Sequence, residues 1–424
     1  MLTEKAIRDR KWGAFPALRI LLEKHPIPLN YYGPTSVSDN IFLQLNRSAE
    51  IAVVFKEHAR NCSQETTKPA ILHQLLKDFE RLESQLRWAA SFFIDHAAFV
   101  RQLMDDLLQR LEHVRRRYEG CMLGLAIGDA LGWPVEFLQL SEIHARFGPG
   151  GITDLHAAGK HPRGTVTDDT QMSLALARAI LSYGVKPEDE FVTESARQFV
   201  RWAESDENDR APGQTCMSAC RALELDPSWR APGHNDSKGC GTAMRAAPIG
   251  LAWNGDEDQI IRRATMTSEL THGHPCATAG SVATALLVSW ALEDLPPDHM
   301  FDRLVERTRP ISNEFVQKIK QVPTVLLAEP AAAYQVLGGA WTAEEAIACA
   351  LYAFMRSPRD YRQTVITAVN MDGDSDSVGC IAGAISGAFN GVQAIPESWR
   401  QDVEHRDELI EVARNLHAFS AARA

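Results

Sequence analysis

Two series of glycines, Gly120-Gly124-Gly128-Gly132 and Gly379-Gly383-Gly387-Gly391, recur every fourth residue and constrain this chain more than any other feature. That spacing runs each series along one side of a helix, where every glycine costs up to about 1 kcal/mol relative to alanine. Eight of them need an offsetting gain, and close approach of helix backbones supplies one, as small-residue stripes do elsewhere. Both series open on a Gly-Cys pair, Gly120-Cys121 and Gly379-Cys380. We therefore expect both stripes deep in the core, holding the acidic loops beside them in fixed positions. Unrelated small-residue packing at the two places is the plainer alternative.

The rest of the chain reads as helix and loop. Alternating apolar–polar runs are scarce, whereas helical patterns are many: Met172 to Ser182, Phe191 to Ala203, Ala277 to Ala291 and Ala343 to Phe354. The fold class expected is all-α. From Ala70 to Tyr118 no glycine or proline interrupts apolar residues at helical spacing, which predicts one very long helix or two in succession. Residues 1–69 are irregular, with Pro26, Pro28, Gly33 and Pro34 marking a loop. We place a boundary near Arg117, giving an added N-terminal helical module over 1–117, a possible partner-binding module, and a second domain over 118–424.

Length and charge exclude some functions. A chain of 424 residues, 45% hydrophobic and 23% charged, can bury one large core or a core with an appendage. The net charge of −11, with Arg115-Arg116-Arg117 as the one compact basic run, argues against nucleic acid as a partner. Eight scattered cysteines without a Cys-x-x-Cys pair suggest reduced thiols in a cytoplasmic protein. No charged leader with an apolar segment stands at the N-terminus. The stretch Cys276 to Leu292 falls short of the roughly 20 apolar residues that span a bilayer, so a buried core helix rather than a membrane span is expected.

Two acidic clusters carry the chemistry. Thr167-Asp168-Asp169-Thr170 stands directly before a helix that stops at Gly184, a place where Asp and Thr cap helices in any protein. Asp372-Gly373-Asp374-Ser375-Asp376-Ser377 also precedes a helix, with three carboxylates in five residues. Capping needs one. Hard divalent cations take carboxylate and hydroxyl oxygens, and a glycine lets the turn close tightly. Two such clusters point to a paired-metal site. Glu136 ends the first glycine stripe beyond Pro134, where by itself it reads as a solvated loop residue. Cys216 and Cys220, one helical turn apart, read as packing residues.

Together these residues resemble the ADP-ribosylglycohydrolase family, over about Tyr118 to Arg400 and in five ordered blocks. The blocks are Gly124 to Ala130 with Glu136; Thr167 to Thr170; Gly239-Cys240-Gly241-Thr242-Ala243-Met244-Arg245 with Pro248; Thr271-His272; and Gly373 to Ser377. The resemblance implies an orthogonal all-α fold holding two Mg²⁺ (or Mn²⁺) ions beside bound ADP-ribose. It assigns Thr167, Asp168, Asp169, Asp374, Asp376 and Ser377 as metal ligands and Glu136 as a mobile carboxylate that contacts substrate. Where Ser377 and Asp372 stand, the family usually has threonine and glycine, which removes Asp372 from the ligand set. Similar N-terminal additions occur in members that look like immunity proteins against ADP-ribosylating toxins.

Hydrolysis at an anomeric carbon passes through an oxocarbenium-like transition state that needs activated water and leaving-group assistance. Asp169 is the candidate bridging ligand, Asp168, Asp374 and Asp376 anchor the ions, and Glu136 assists proton transfer. Gly239, Gly241, Thr242, Met244 and Arg245 form a candidate diphosphate-binding turn, with backbone N–H groups reachable past the glycines. His272, and less so His274, is a candidate contact to phosphate or ribose. The expected activity is removal of ADP-ribose from modified protein, from arginine in the first instance. The competing expectation is a stoichiometric inhibitor that blocks an ADP-ribosyltransferase toxin through residues 1–117. A catalytically dead scaffold is the third.

Overall fold

The computed structural model describes residues 96–210, 212–225 and 236–423. The loop marked by Pro26 to Pro34, and the expected helix from Ala70 as far as Asp95, lie outside them. Among the described residues there are helices and isolated bridges but no β-strand, as an all-α reading requires. The first group of helices is α1 (His96–Gly132), α2 (Leu140–Phe147), α3 (Asp168–Tyr183), α4 (Glu188–Ala203) and α5 (Gln214–Leu225). Then come α6 (Ala247–Ala252), α7 (Glu257–Glu269), α8 (Pro275–Leu292), α9 (Pro297–Thr308), α10 (Asn313–Ile319), α11 (Val322–Val325) and α12 (Pro330–Leu337). The last group is α13 (Ala343–Arg356), α14 (Tyr361–Val369), α15 (Ser375–Asn390), α16 (Glu397–Asp402) and α17 (Arg406–Ala421).

One compact unit spans Val114–Ser420. α1 runs without a break through Arg117, so the change of sequence texture there falls inside a helix. Arg117 is itself buried, donating to the carbonyls of Leu292 (3.0 Å) and Phe389 (2.9 Å) and pairing with Asp294. Of the basic run, Arg117 is thus taken up inside the fold, while Arg116 remains exposed.

α8 is apolar on every side, and such a helix belongs inside protein or lipid. Against the expectation from its length, the 18-residue helix is long and apolar enough to cross a bilayer, but 94% of it is enclosed by the fold, packed on α6, α7, α13 and α15. The buried-helix expectation for Cys276 to Leu292 holds.

The two glycine stripes face each other. α1 and α15 lie antiparallel, with Gly120 against Gly387, Gly124 against Gly383 and Gly128 against Gly379. A Cβ built on Gly120, Gly124 or Gly128 would stand 2.3, 2.4 or 1.9 Å from the carbonyl oxygen opposite, where no real Cβ fits. The seam is backbone on backbone, and the tight packing of a protein interior leaves no side chain to yield there. At its far end, a Cβ on Gly132 would lie 2.5 Å from Asp376 Cα, so the seam runs directly into the second acidic cluster.

Candidate metal centre

Three helix ends converge at the end of the glycine seam. α1 stops where Pro134 enters, and a 3-10 turn over Trp133–Val135 delivers Glu136. α3 begins at Asp168 behind its cap Thr167, whose hydroxyl accepts from Asp169 N–H. α15 begins behind its cap Asp374, whose carboxylate accepts from Ser377 N–H. Gly373, at φ 106°, makes the turn into α15, and a Cβ there would strike the carbonyl of Gly339 at 2.2 Å. Two helix N-termini aimed at one place favour negative charge.

The arrangement brings both clusters and Glu136 together. Carboxylate oxygens of Glu136, Asp374 and Asp376 lie within 4.8 Å of one another. Thr167 Oγ1 stands 3.4 Å from Asp169 Oδ2 and 3.5 Å from Asp376 Oδ2, which joins the first cluster to the second. Gly213 N–H donates to Asp168 Oδ2 (3.3 Å). Asp372 is exposed and turned away, accepting from Leu140 N–H (2.6 Å), while Phe137 N–H donates to Gly373 O (2.9 Å). Those two bonds tie the Glu136 loop to the second cluster.

The carboxylates raise one another's pKa. Burial, then the charges of Asp374 and Asp168, pushes Glu136 up to about 9. Burial pushes Asp168 up to about 7, and Asp169 and Asp376 well above the usual carboxylate range, with neighbouring carboxylates adding to the rise. Asp169 Oδ1 is buried without any hydrogen-bond partner. Unpaired buried acceptors are costly, and like charges held this close call for a cation. Carboxylate oxygens with the hydroxyls of Thr167 and Ser377 form the donor set that a hard divalent cation prefers, so these residues fit such an ion.

Asp129 was legible as a motif residue but not as a site residue. It lies fully buried on α1, accepting from the Thr167 and Thr170 backbone N–H groups (3.0 and 3.2 Å to Oδ2) and from both hydroxyls (2.8 and 2.5 Å). Burial raises its pKa to about 6, and those hydrogen bonds limit the rise. It carries no position open to a ligand; it fixes where Asp168 and Asp169 stand. The available signal was a lone carboxylate on a helix of glycine and apolar residues, which must find donors.

The Gly239–Arg245 segment sits beside the centre. Cys240–Thr242 form a 3-10 turn, pinned where Ala343 N–H donates to Lys238 O (2.8 Å) and where Thr242 Oγ1 donates to Ala277 O (2.6 Å). The Met244 sulfur accepts from Ser377 Oγ at 3.8 Å, and its carbonyl accepts from Ser173 Oγ at 3.4 Å. Arg245 lies fully buried behind the turn, donating to Gly241 O (2.6 Å), Thr267 O (3.1 Å) and Thr271 Oγ1 (2.7 Å) above the Phe199 ring. His272 is buried beneath the turn, where Cβ atoms on Gly239 and Gly241 would come within 3.0 Å of its Nε2 and 3.2 Å of its Cε1.

The protonation of His272 follows from its partners. Burial, then the Arg245 charge, pushes it down to about 3, so the ring is neutral. Thr271 Oγ1 accepts from Arg245 and shares a 2.8 Å hydrogen bond with His272 Nδ1 whose direction follows the ring tautomer. His274 instead caps α8, accepting from Cys276 N–H. Cys216 and Cys220 are buried on α5, as packing residues should be.

Two further features had no sequence signal strong enough to single them out. Cys240 Sγ donates to Asp374 Oδ2 at 2.8 Å. Phe137, at φ 66°, stacks on Trp341 with ring centroids 5.3 Å apart and planes 5° from parallel, both rings about half exposed (54% and 51%). A bulky residue in that backbone region is strained, and it immediately follows Glu136.

The chain is similar to known proteins over most of its length. The model of the family described as ADP-ribosylglycohydrolase matches residues 110–423. An uncharacterised protein of Archaeoglobus fulgidus is 31% identical over 311 residues, covering 72% of this chain and 97% of its own. The ADP-ribosyl-[dinitrogen reductase] glycohydrolase of Rhodospirillum rubrum is 29% identical, covering 73% and 97%. An ADP-ribosylhydrolase of Homo sapiens is 25% identical, covering 71% and 93%. A solved structure titled ADP-ribosylglycohydrolase-related protein complex superposes with a TM-score of 0.60 at 29% identity, covering 73% of this chain and 99% of that one.

Proposed function

Because the chain belongs to the ADP-ribosylglycohydrolase family, we propose that it removes ADP-ribose from modified protein, with ADP-ribosyl-arginine as the substrate. The observation that carries this reading is the meeting of both acidic clusters with Glu136 at one point, with Asp169 Oδ1 left unpartnered there. Thr167, Asp168, Asp169, Asp374, Asp376 and Ser377 would hold two Mg²⁺ (or Mn²⁺) ions. Bound there, the cations supply Lewis acidity toward ribose hydroxyls and water. Glu136 is half-buried, on the solvent side of the cluster, where its carboxyl can hold or release a proton for the departing group. The Gly239–Gly241 turn offers backbone N–H groups to the diphosphate, and Arg245 and His272 position that turn from beneath. The exposed Phe137–Trp341 stack beside Glu136 suits a planar cation such as the arginine guanidinium.

The test is release of free ADP-ribose from arginine-linked, serine-linked and polymeric substrates in the presence of Mg²⁺. Turnover of the arginine-linked substrate that vanishes in Asp374→Ala is expected. Unchanged turnover in that variant rules out the assigned centre, and activity confined to serine-linked substrate rules out the arginine assignment alone.

A biological role as antitoxin, reversing the action of an ADP-ribosyltransferase toxin in the cytoplasm, fits this activity. A second reading is favoured by one observation: the family match begins at residue 110, leaving an N-terminal segment outside it. In that reading residues 1–117 bind and block the toxin directly, with hydrolysis secondary. Since α1 is continuous from His96, the informative truncation removes 1–95 rather than 1–117. Full direct inhibition of a transferase by the truncated protein eliminates the blocking role.

A further inference from the structure

We infer that Cys240 is an additional ligand of the centre, reserved for thiophilic divalent cations such as Zn²⁺ and Cd²⁺, which it would bind together with Asp374. The inference rests on the reading of Asp374 as a metal ligand and concerns a donor atom outside that ligand set. The Cys240 sulfur stands 2.8 Å from Asp374 Oδ2 and 3.6 Å from Ser377 Oγ. Of the seven cysteines among the described residues, six are buried and Cys240 alone is half-buried, with its thiol turned inward onto the centre. Its turn is pinned on both sides by the Ala343–Lys238 and Thr242–Ala277 hydrogen bonds, so the thiol is held at the centre rather than swept through it. A separate observation marks the place as a ligand site: the buried, unpartnered Oδ1 of Asp169, a residue whose charge acts on this same thiol.

The distances suit such an ion. With Zn–S near 2.3 Å and Zn–O near 2.1 Å in tetrahedral arrangement, the two ligand atoms should stand about 3.6 Å apart. The Cys240–Asp374 pair must therefore open by less than about 1 Å, while the Cys240–Ser377 distance already matches. On coordination the S–H bond breaks heterolytically, its proton passes to solvent, and no electron is transferred. Mg²⁺ has little affinity for thiolate sulfur, whereas Zn²⁺ and Cd²⁺ take it readily. One set of aspartates thus serves a working hard cation, and the added sulfur retains a thiophilic one on Asp374 and displaces the hard cation from it.

The full-length protein loaded with Co²⁺ tests this. Wild type should show a sulfur-to-cobalt charge-transfer band in the near ultraviolet, and Cys240→Ser should lose it while keeping the visible d–d bands of cobalt in the centre. The ratio of Zn²⁺ to Mg²⁺ affinity should fall about tenfold or more in Cys240→Ser, the scale on which ligand-shell changes act. Should that variant fail to fold, alkylation of wild-type Cys240, read by mass spectrometry, should be blocked by Zn²⁺ and not by Mg²⁺. Cobalt d–d bands without a charge-transfer band, a band that persists in Cys240→Ser, or alkylation unaffected by Zn²⁺ overturns the assignment and leaves the carboxylate centre standing. Cobalt binding unaltered by Asp374→Asn overturns the centre itself, and the Cys240 role with it.

Discussion

Replacing Gly128 by alanine adds a single methyl group at the middle of the glycine seam. That methyl would stand 1.9 Å from the Gly379 carbonyl oxygen and 2.4 Å from its carbon. Ordinary contact begins near 3.4 Å, so the local separation of α1 and α15 must grow by about 1.5 Å. Both obstructing atoms are backbone, and no rotamer change relieves them. Overpacking of this kind costs roughly 1–3 kcal/mol or more, and the better helix propensity of alanine offsets at most about 1 kcal/mol of it. The next residue is Asp129, which holds the Thr167–Thr170 block, so the same displacement shifts Asp168 and Asp169 against Asp374 and Asp376. A misplacement of about 1 Å at a reacting centre lowers rate roughly a hundredfold. Urea unfolding without divalent cations, followed by ADP-ribose release with Mg²⁺, measures both effects. Gly150→Ala is the neutral control, since the nearest atom to its Cβ would be 3.9 Å away. Wild-type stability and turnover in Gly128→Ala would refute backbone contact along the seam.

Further outcomes follow from the charge and hydrogen bonding of the centre. Glu136 and Asp168 have folded pKa values raised to about 9 and about 7, so the stability they contribute is fully present at acid pH and lost as pH rises through those values. Mg²⁺ favours the ionised carboxylates and reverses that loss. Its stabilisation in a thermal-shift titration should therefore grow from pH 6 to pH 9 (~), and a gain independent of pH argues against carboxylate ligation. Asp129→Asn replaces one acceptor oxygen of the four-donor cluster with an NH₂ group, leaving buried donors short of partners. Each costs about 1–3 kcal/mol, so a lower melting temperature and weaker Mg²⁺ binding by calorimetry are expected together; a stability loss with Mg²⁺ affinity intact would deny Asp129 its positioning role. Trp341→Ala should raise KM for arginine-linked substrate severalfold without weakening product ADP-ribose, and equal weakening of both would place the aromatic stack elsewhere in recognition.

What could be read in advance divides along the distance that information travels in the chain. The apolar run of α8 and the caps of α3 and α15 are local facts, and the helices begin and end close to where the sequence puts them. The period of the glycine stripes marks each as a contact face, but nothing in either stripe says that the other is its partner. Asp129 finds its donors 38 and 41 positions away, and Cys240 meets Asp374 across 134, so neither role is visible from local pattern. Arg245 illustrates the limit of a motif: its block places it next to the centre, while the fold turns its guanidinium inward onto Gly241, Thr267 and Thr271.

A seam toothed every four residues on both sides would also mesh after sliding by one tooth. Gly124 would then oppose Gly387, Gly128 would oppose Gly383, and the contacts would again be free of side chains. Four residues at about 1.5 Å each make a step of about 6 Å, enough to carry Asp376 away from Asp168. The glycines thus select a ladder of allowed registers without choosing among its rungs. The choice falls to contacts outside the stripes: Arg117 on the Phe389 carbonyl and Phe137 on the Gly373 carbonyl, both at 2.9 Å, and the packing of α15 on α8, α13 and α14.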